Sequence, residues 1–224
     1  AGKIIQGDWI ELVEDEVEEF VGYDNLDIDI IITRYREMQL KDKRHYQLVF
    51  NITPFYPEGG GQVGDTGVIE NKYDSIKIID TKKENNLIVH FTDSLPKELN
   101  ESFIAKVDAN NRKASSRNHT ATHLLHESLI SYLGNHITQK GSLVNADYLR
   151  FDFSHFSKID LLDLKKIELD VNSKILANIS LEEHINLPLS KAKKMGAITL
   201  FGEKYEDVVR MIQYNTSKEL CGGT

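Results

Sequence analysis

The chain has 224 residues, 40% hydrophobic and 28% charged, long enough to bury roughly 70–75% of its unfolded surface without disulfide or metal staples. Its 27 basic residues face 35 acidic ones, a net charge of −8; this excludes broad adhesion to a phosphate backbone and leaves open a nucleic acid gripped locally. A single cysteine rules out an internal disulfide and fits a reducing, cytoplasmic setting, and no apolar run approaches the ~20 residues of a membrane span.

In chain order, residues 1–100 read as β and residues 101–224 as α+β. Residues 8–13 hold an apolar strand candidate, and the acidic run 14–19 reads as a solvated face. Ile28, Ile30 and Ile32 alternate with other residues, as do Tyr46, Leu48 and Phe50, which is the strand period. Residues 75–80 and 86–91, spaced around Lys82 to Asn85, predict a hairpin, and residues 103–107 a further strand. Short strands without a long helix predict a small β-barrel-like subdomain. Within it, the loop 53–67 carries five glycines in nine positions (Gly59, Gly60, Gly61, Gly64 and Gly67). Such backbone takes positive φ or lets a ligand approach its N–H groups, although a plain Gly-rich hairpin connection explains it too. Gln62 supplies the one side-chain amide in that glycine stretch, able to donate and accept through separate groups. Residues 92–101, polar and containing Pro96, are the linker candidate.

After the linker the pattern becomes helical. Asp108 or Asn110 caps a helix whose Leu125, Leu129 and Leu133 form an apolar stripe, with Gly134 where it ends. His119 and His123 stand at i and i+4 on that helix, about 6 Å apart along its axis. Two neutral imidazoles so spaced converge on one metal ion; the plainer reading packs one and solvates the other. Strands are expected at 143–144 and 149–153, followed by an amphipathic helix from Asp160 with Leu164, Ile167, Val171 and Ile175. An extended segment 179–187, a short helix 189–195 and a strand 207–214 complete an α+β fold class: a small β-barrel-like subdomain, then a core of antiparallel sheet and helices. The lone Cys221 lies within Glu219-Leu220-Cys221-Gly222-Gly223-Thr224.

Four stretches carry a family likeness: residues 53–67; residues 117–126, Arg-Asn-His-Thr-Ala-Thr-His-Leu-Leu-His; Gln139-Lys140-Gly141-Ser142 leading to 149–155; and residues 196–205 followed by 217–224. In this order they resemble the editing domain of alanyl-tRNA synthetase over most of the chain. Free-standing alanyl-tRNA editing proteins and, more distantly, threonyl-tRNA synthetase editing domains share the histidine core. The Gly-rich loop and residues 200–205 fit alanyl-tRNA synthetase better.

The resemblance implies zinc held by His119, His123, Cys221 and a histidine four residues after the cysteine. That position is 225, one beyond this chain, so the expectation here is zinc weakly held or absent. It implies hydrolysis of serine or glycine wrongly esterified to tRNA(Ala), with Gln62 as the catalytic or positioning amide. Gly60, Gly61, Thr122, Gln139, Gly141 and Arg150 are then the substrate-binding candidates. Arg150, Lys140 and Lys204 are expected near the phosphates and ribose of the tRNA acceptor end. A full set of four protein ligands favours anchoring of substrate over plain activation of water. Covalently linked aminoacylation and C-terminal domains are expected in a cytoplasmic parent protein, with no membrane partner. The competing class is a tRNA-binding module with purely structural zinc. A metalloprotease is excluded, because Thr120 stands where the general-base glutamate belongs. His126 reads as a solvated helix histidine, and His45, His90, His136, His155 and His184 as structural.

Overall fold

A computed structural model describes residues 4–14, 19–40, 43–199 and 205–224. The contacts divide the chain into two compact units: Ala1–Gly59 with Val63–Ala114 and Thr224, and Gly60–Gln62 with Ser115–Gly223.

The first unit contains β1 (Ile4–Gln6), β2 (Ile10–Glu11), β3 (Glu19–Phe20), β4 (Asp27–Leu40), β5 (Lys43–Phe50), β6 (Ile52–Thr53), β7 (Gly67–Glu70), β8 (Ser75–Ile78), β9 (Asp80–Glu84), β10 (Leu87–Thr92) and β11 (Ser102–Val107). Its large sheet runs β8-β7-β11-β4-β5-β10-β9, with β1 and β2 added along β4. Every ladder in this sheet is antiparallel. The barrel-like expectation stops short of a closed barrel. The two end strands, β8 and β9, follow each other with only Ile79 between, too short a link for them to pair with each other as a hairpin. Ile79 N–H instead bonds Phe91 C=O at 2.8 Å.

The hairpin also differs from the sequence reading. β10 pairs with β9, not with residues 75–78, which pair with β7. The turn is Asn85-Asn86, both at positive φ (49° and 76°), the backbone that two-residue hairpin turns demand and asparagine tolerates. Strict alternation in β11 buries Phe103, Ala105 and Val107, which join Ile30, Ile32, Leu48, Phe50 and Ile69 in one core. Each large side chain so buried contributes about 1.5–3 kcal/mol. Residues 93–101 connect β10 to β11, and Leu95 and Leu99 pack on this core.

His90 sits inside that core, wholly buried and stacked on Phe50 at 3.9 Å. Its Nδ1–H donates to Leu48 C=O at 3.1 Å, and Nε2 accepts the Thr53 hydroxyl at 2.8 Å. Burial lowers its pKa from 6.5 to about 3, with the Leu48 carbonyl pulling the other way. The unfolded chain therefore binds this proton first as pH falls. Its contribution is intact above pH 6.5 and is lost progressively toward pH 3. We expect urea-measured stability to fall by on the order of 3 kcal/mol between pH 7 and pH 4 from this group. His90→Gln should flatten that part of the slope, and an unchanged slope would contradict the assignment.

α1 (Ala109–Leu133) starts in the first unit, capped by Asp108, whose Oδ1 accepts from Asn110 and Asn111 N–H at 3.1 Å each. The second unit continues with β12 (Gln139–Val144), β13 (Leu149–Phe153), α2 (Leu161–Leu176), β14 (Leu181–Pro188), α3 (Leu189–Lys194), β15 (Val208–Tyr214) and β16 (Ser217–Leu220). β12 and β13 form one antiparallel ribbon, and β14-β15-β16 a three-stranded antiparallel sheet. The class is thus α+β, as the patterning predicted. α2 is capped by Asp160 and buries Ile167 against Leu129 and Ile137 of the same core, whereas Leu164 and Ile175 stay exposed. No helix among the described residues is long and apolar enough to cross a membrane.

Candidate metal centre and its cavity

Two parts of the second unit, α1 and the segment after β16, deliver three soft or borderline ligands to one point. α1 presents His119 and His123 one turn apart, ring centroids separated by 5.0 Å. β16 ends just before Cys221, whose Sγ lies 3.4 Å from His119 Nε2. All three ligand atoms fall within 4.8 Å of one another. Arg210 on β15 holds the segment after β16, donating through Nη1 to Cys221 C=O at 2.8 Å and Gly223 C=O at 2.9 Å. Gly223 has to be glycine, because a Cβ there would lie 2.1 Å from His119 Cε1.

The free nitrogens are set by what lies behind each ring. Gln62 Oε1 accepts from His119 Nδ1–H at 2.7 Å. Glu219 accepts from His123 Nδ1–H at 2.7 Å and from His126 Nδ1–H at 2.9 Å. Each liganding histidine therefore turns Nε2 toward Cys221, and the buried His123 Nε2 has no hydrogen-bond partner. Such rear contacts are the arrangement that orients metal-bound imidazoles. Burial pushes the Cys221 thiol up, but His119 and His123 outweigh it and hold the thiol at about 5, the thiolate form a metal requires. Burial disfavours charge on His123, yet Cys221 and Glu219 raise it to about 10, so a metal binding at Nε2 has to displace a proton there. Two imidazole nitrogens and a thiolate suit zinc, so the residues present fit the group.

A cavity of about 300 Å³ opens beside the cluster, lined by His119, His123 and Cys221 together with Gly60, Thr122, Gln139, Ser142 and Phe151. The other sequence-predicted residues stand apart from it. Gln62 is wholly buried behind His119. Gly61, at φ +83°, would bring a Cβ within 2.8 Å of Ser142, and its carbonyl accepts Val144 N–H at 2.7 Å. Gly141 packs toward Asp152. Arg150 is exposed and donates to Asp152 Oδ2 from Nε at 3.1 Å. Lys140 is exposed on β12, and Lys204 lies outside the described residues. Thr120 shares a hydrogen bond with Tyr214 at 3.1 Å. His126 departs from its solvated reading: it is 2% exposed, because Glu219 draws it inward.

Sequence reasoning gave Glu219 and Arg210 no role. A signal for the first existed, since Glu219 and Cys221 are two apart along an extended chain and share a face. Arg210 offered none, because its reach depends on strand pairing between β15 and β16.

Residues 4–112, ahead of the cluster, match the family described as tRNA synthetases class II (A). Over its full length the chain is 54% identical to an alanine–tRNA ligase from Bacteroides fragilis (strain YCH46), of which it covers 26%. It is 52% identical to that of Flavobacterium psychrophilum and 46% to that of Porphyromonas gingivalis, again covering all of this chain and 26% of each relative. The chain is thus similar over its whole length to one segment of these alanine–tRNA ligases and spans about a quarter of their length.

Proposed function

We propose that this segment is the editing site of such a ligase, hydrolysing the ester that joins serine or glycine to tRNA(Ala). The observation that carries the reading is the convergence of His119 Nε2, His123 Nε2 and Cys221 Sγ beside a cavity sized for an aminoacyl ester. The need for it is physical. Serine and glycine differ from alanine by one hydroxyl or one methylene, and a charging pocket rejects such near-isosteres by only ~10–200-fold.

His119, His123 and Cys221 would hold zinc, which supplies polarisation of a carbonyl or a grip on the substrate's amino group. Gln62 and Glu219 act from behind, fixing the ring orientation of His119 and His123. Thr122 donates its hydroxyl to Asn118 C=O at 2.8 Å, which leaves its oxygen lone pairs to accept from a serine hydroxyl in the cavity. Alanine has no such donor and leaves those partners unmatched, which is how a polar pocket spares the correct ester. Lys140 and Arg150, exposed on the β12–β13 ribbon, would meet the acceptor end of the tRNA at a modest, salt-screened gain each. Aminoacylation then belongs to other segments of the parent ligase.

The test is deacylation of Ser-tRNA(Ala) and Ala-tRNA(Ala) side by side by zinc-loaded protein. Selective loss of the seryl ester is expected, and equal hydrolysis of both esters would refute the reading. Retained tRNA binding without hydrolysis would favour a binding module with structural metal. Glu219→Ala should weaken zinc binding by about 10–100-fold, the usual cost of losing such a rear contact. Competition with a chelator measures it, and an unchanged affinity would remove Glu219 from the site.

A further inference from the structure

A second surface of the same unit is built in a way that hydrolysis does not use. His136 Nε2 lies 2.8 Å from His155 Nδ1, with ring centroids 5.1 Å apart and an interplanar angle of 22°. The two imidazoles thus lie edge to edge, almost coplanar, sharing one proton. Phe156 is stacked against this pair, its centroid 4.1 Å from His136 and 5.1 Å from His155, at 27° to each. Ser154 anchors the arrangement, donating from Oγ to His136 C=O at 3.1 Å and accepting Thr138 N–H at 3.2 Å. One face of the Phe156 ring is therefore backed and its orientation set, while the residue remains 81% exposed.

The surroundings indicate what covers the outer face. Asn135, Thr138, Ser157 and Lys158, neighbours of the two histidines and the ring along the chain, are exposed polar residues, and the exposed apolar Leu161 and Leu162 follow on α2. A single flat ring held face-out among polar groups, with a cation two residues away, matches an unpaired nucleotide base, whose π-face stacks without an apolar surround. Its location agrees. Gln139, which lines the cavity, is three residues from His136, about 10 Å of extended chain. A strand whose end enters the cavity passes within a few nucleotides of this surface.

We propose that Phe156, backed by the His136–His155 pair, is a stacking platform for an unpaired base near the 3′ end of a bound tRNA, steadying the strand whose ester enters the cavity. The proposal rests on the editing reading for the identity of its RNA. It is tested with the 224-residue chain and an RNA hairpin bearing a single-stranded 3′ tail with 2-aminopurine at successive positions. Binding should quench the fluorophore at one tail position. Phe156→Ala should abolish that quench and weaken binding about tenfold, the scale of one lost base–aromatic stack, while Phe156→Tyr retains both. Because the side chain is exposed, neither change threatens folding. Unchanged affinity and quench in Phe156→Ala, as for a surface that meets another protein segment, would overturn the platform, as would failure of the unaltered chain to bind the RNA. Deacylation is measured separately: binding and quench without hydrolysis upholds the platform while removing the editing reading.

Discussion

Arg112→Ala is expected to lower the stability of the first unit by about 3–5 kcal/mol, the range for stranding one partner of a buried ion pair. Arg112 and Asp65 side chains are 6% and 7% exposed. Arg112 Nε donates to the two Asp65 oxygens at 3.1 and 3.0 Å, and Nη2 donates to Asp65 and, at 2.9 Å, to Pro54 C=O. Nη1 reaches Gly22 C=O. Asp65 also accepts Tyr56 N–H at 2.7 Å, so one guanidinium ties the start of α1 to both ends of the stretch between Pro54 and Asp65. Burial raises the Asp65 carboxyl above its ordinary value, with Arg112 pulling it back, and removal of Arg112 leaves the burial cost opposed only by the Tyr56 N–H. Urea denaturation at neutral pH should show the loss. Arg112→Leu combined with Asp65→Leu should recover part of it, since an apolar pair leaves no stranded charge. A single-variant loss below about 1 kcal/mol, the scale of surface pairs, would mean the pair is solvated in solution.

If the proposed editing function holds, Cys221→Ala is expected to abolish zinc binding by the cluster and to lower deacylation by roughly a thousandfold, the several kcal/mol a metal contributes to stabilising developing charge. The thiolate is one of three ligands this chain brings together, and alanine offers no replacement donor. The fold should persist, because Cys221 follows β16 and the β15–β16 ladder is made by backbone groups. Zinc content, circular dichroism and deacylation rate on one preparation separate the outcomes. Full deacylation without zinc would dismiss the metal from the reaction. Joint loss of zinc and fold would favour the structural-metal reading.

Much of this was legible in the amino acids. Period-two runs located β4, β5 and β11, and the leucine stripe located α1 with His119 and His123 one turn apart, because strand and helix periodicities are local properties of the chain. The hairpin partner of β10 was misread, since spacing around Lys82 to Asn85 pointed to residues 75–80, whereas the Asn85-Asn86 turn pairs β10 with residues 80–84. The barrel-like character of the first unit was legible in its many short strands, whereas the order of those strands was not, because composition counts strands without revealing that only Ile79 separates β8 from β9.

The sequence by itself determined the α+β class, the helix carrying two imidazoles, and the donor types a metal would meet. Only the tertiary structure decided that Gln62 stands behind His119, that Glu219 joins His123 to His126, and that His136 and His155 form a bed for Phe156. Periodicity is written in neighbouring residues. Which nitrogen of a histidine is left free depends on a group that folding brings from 57 or 96 positions away.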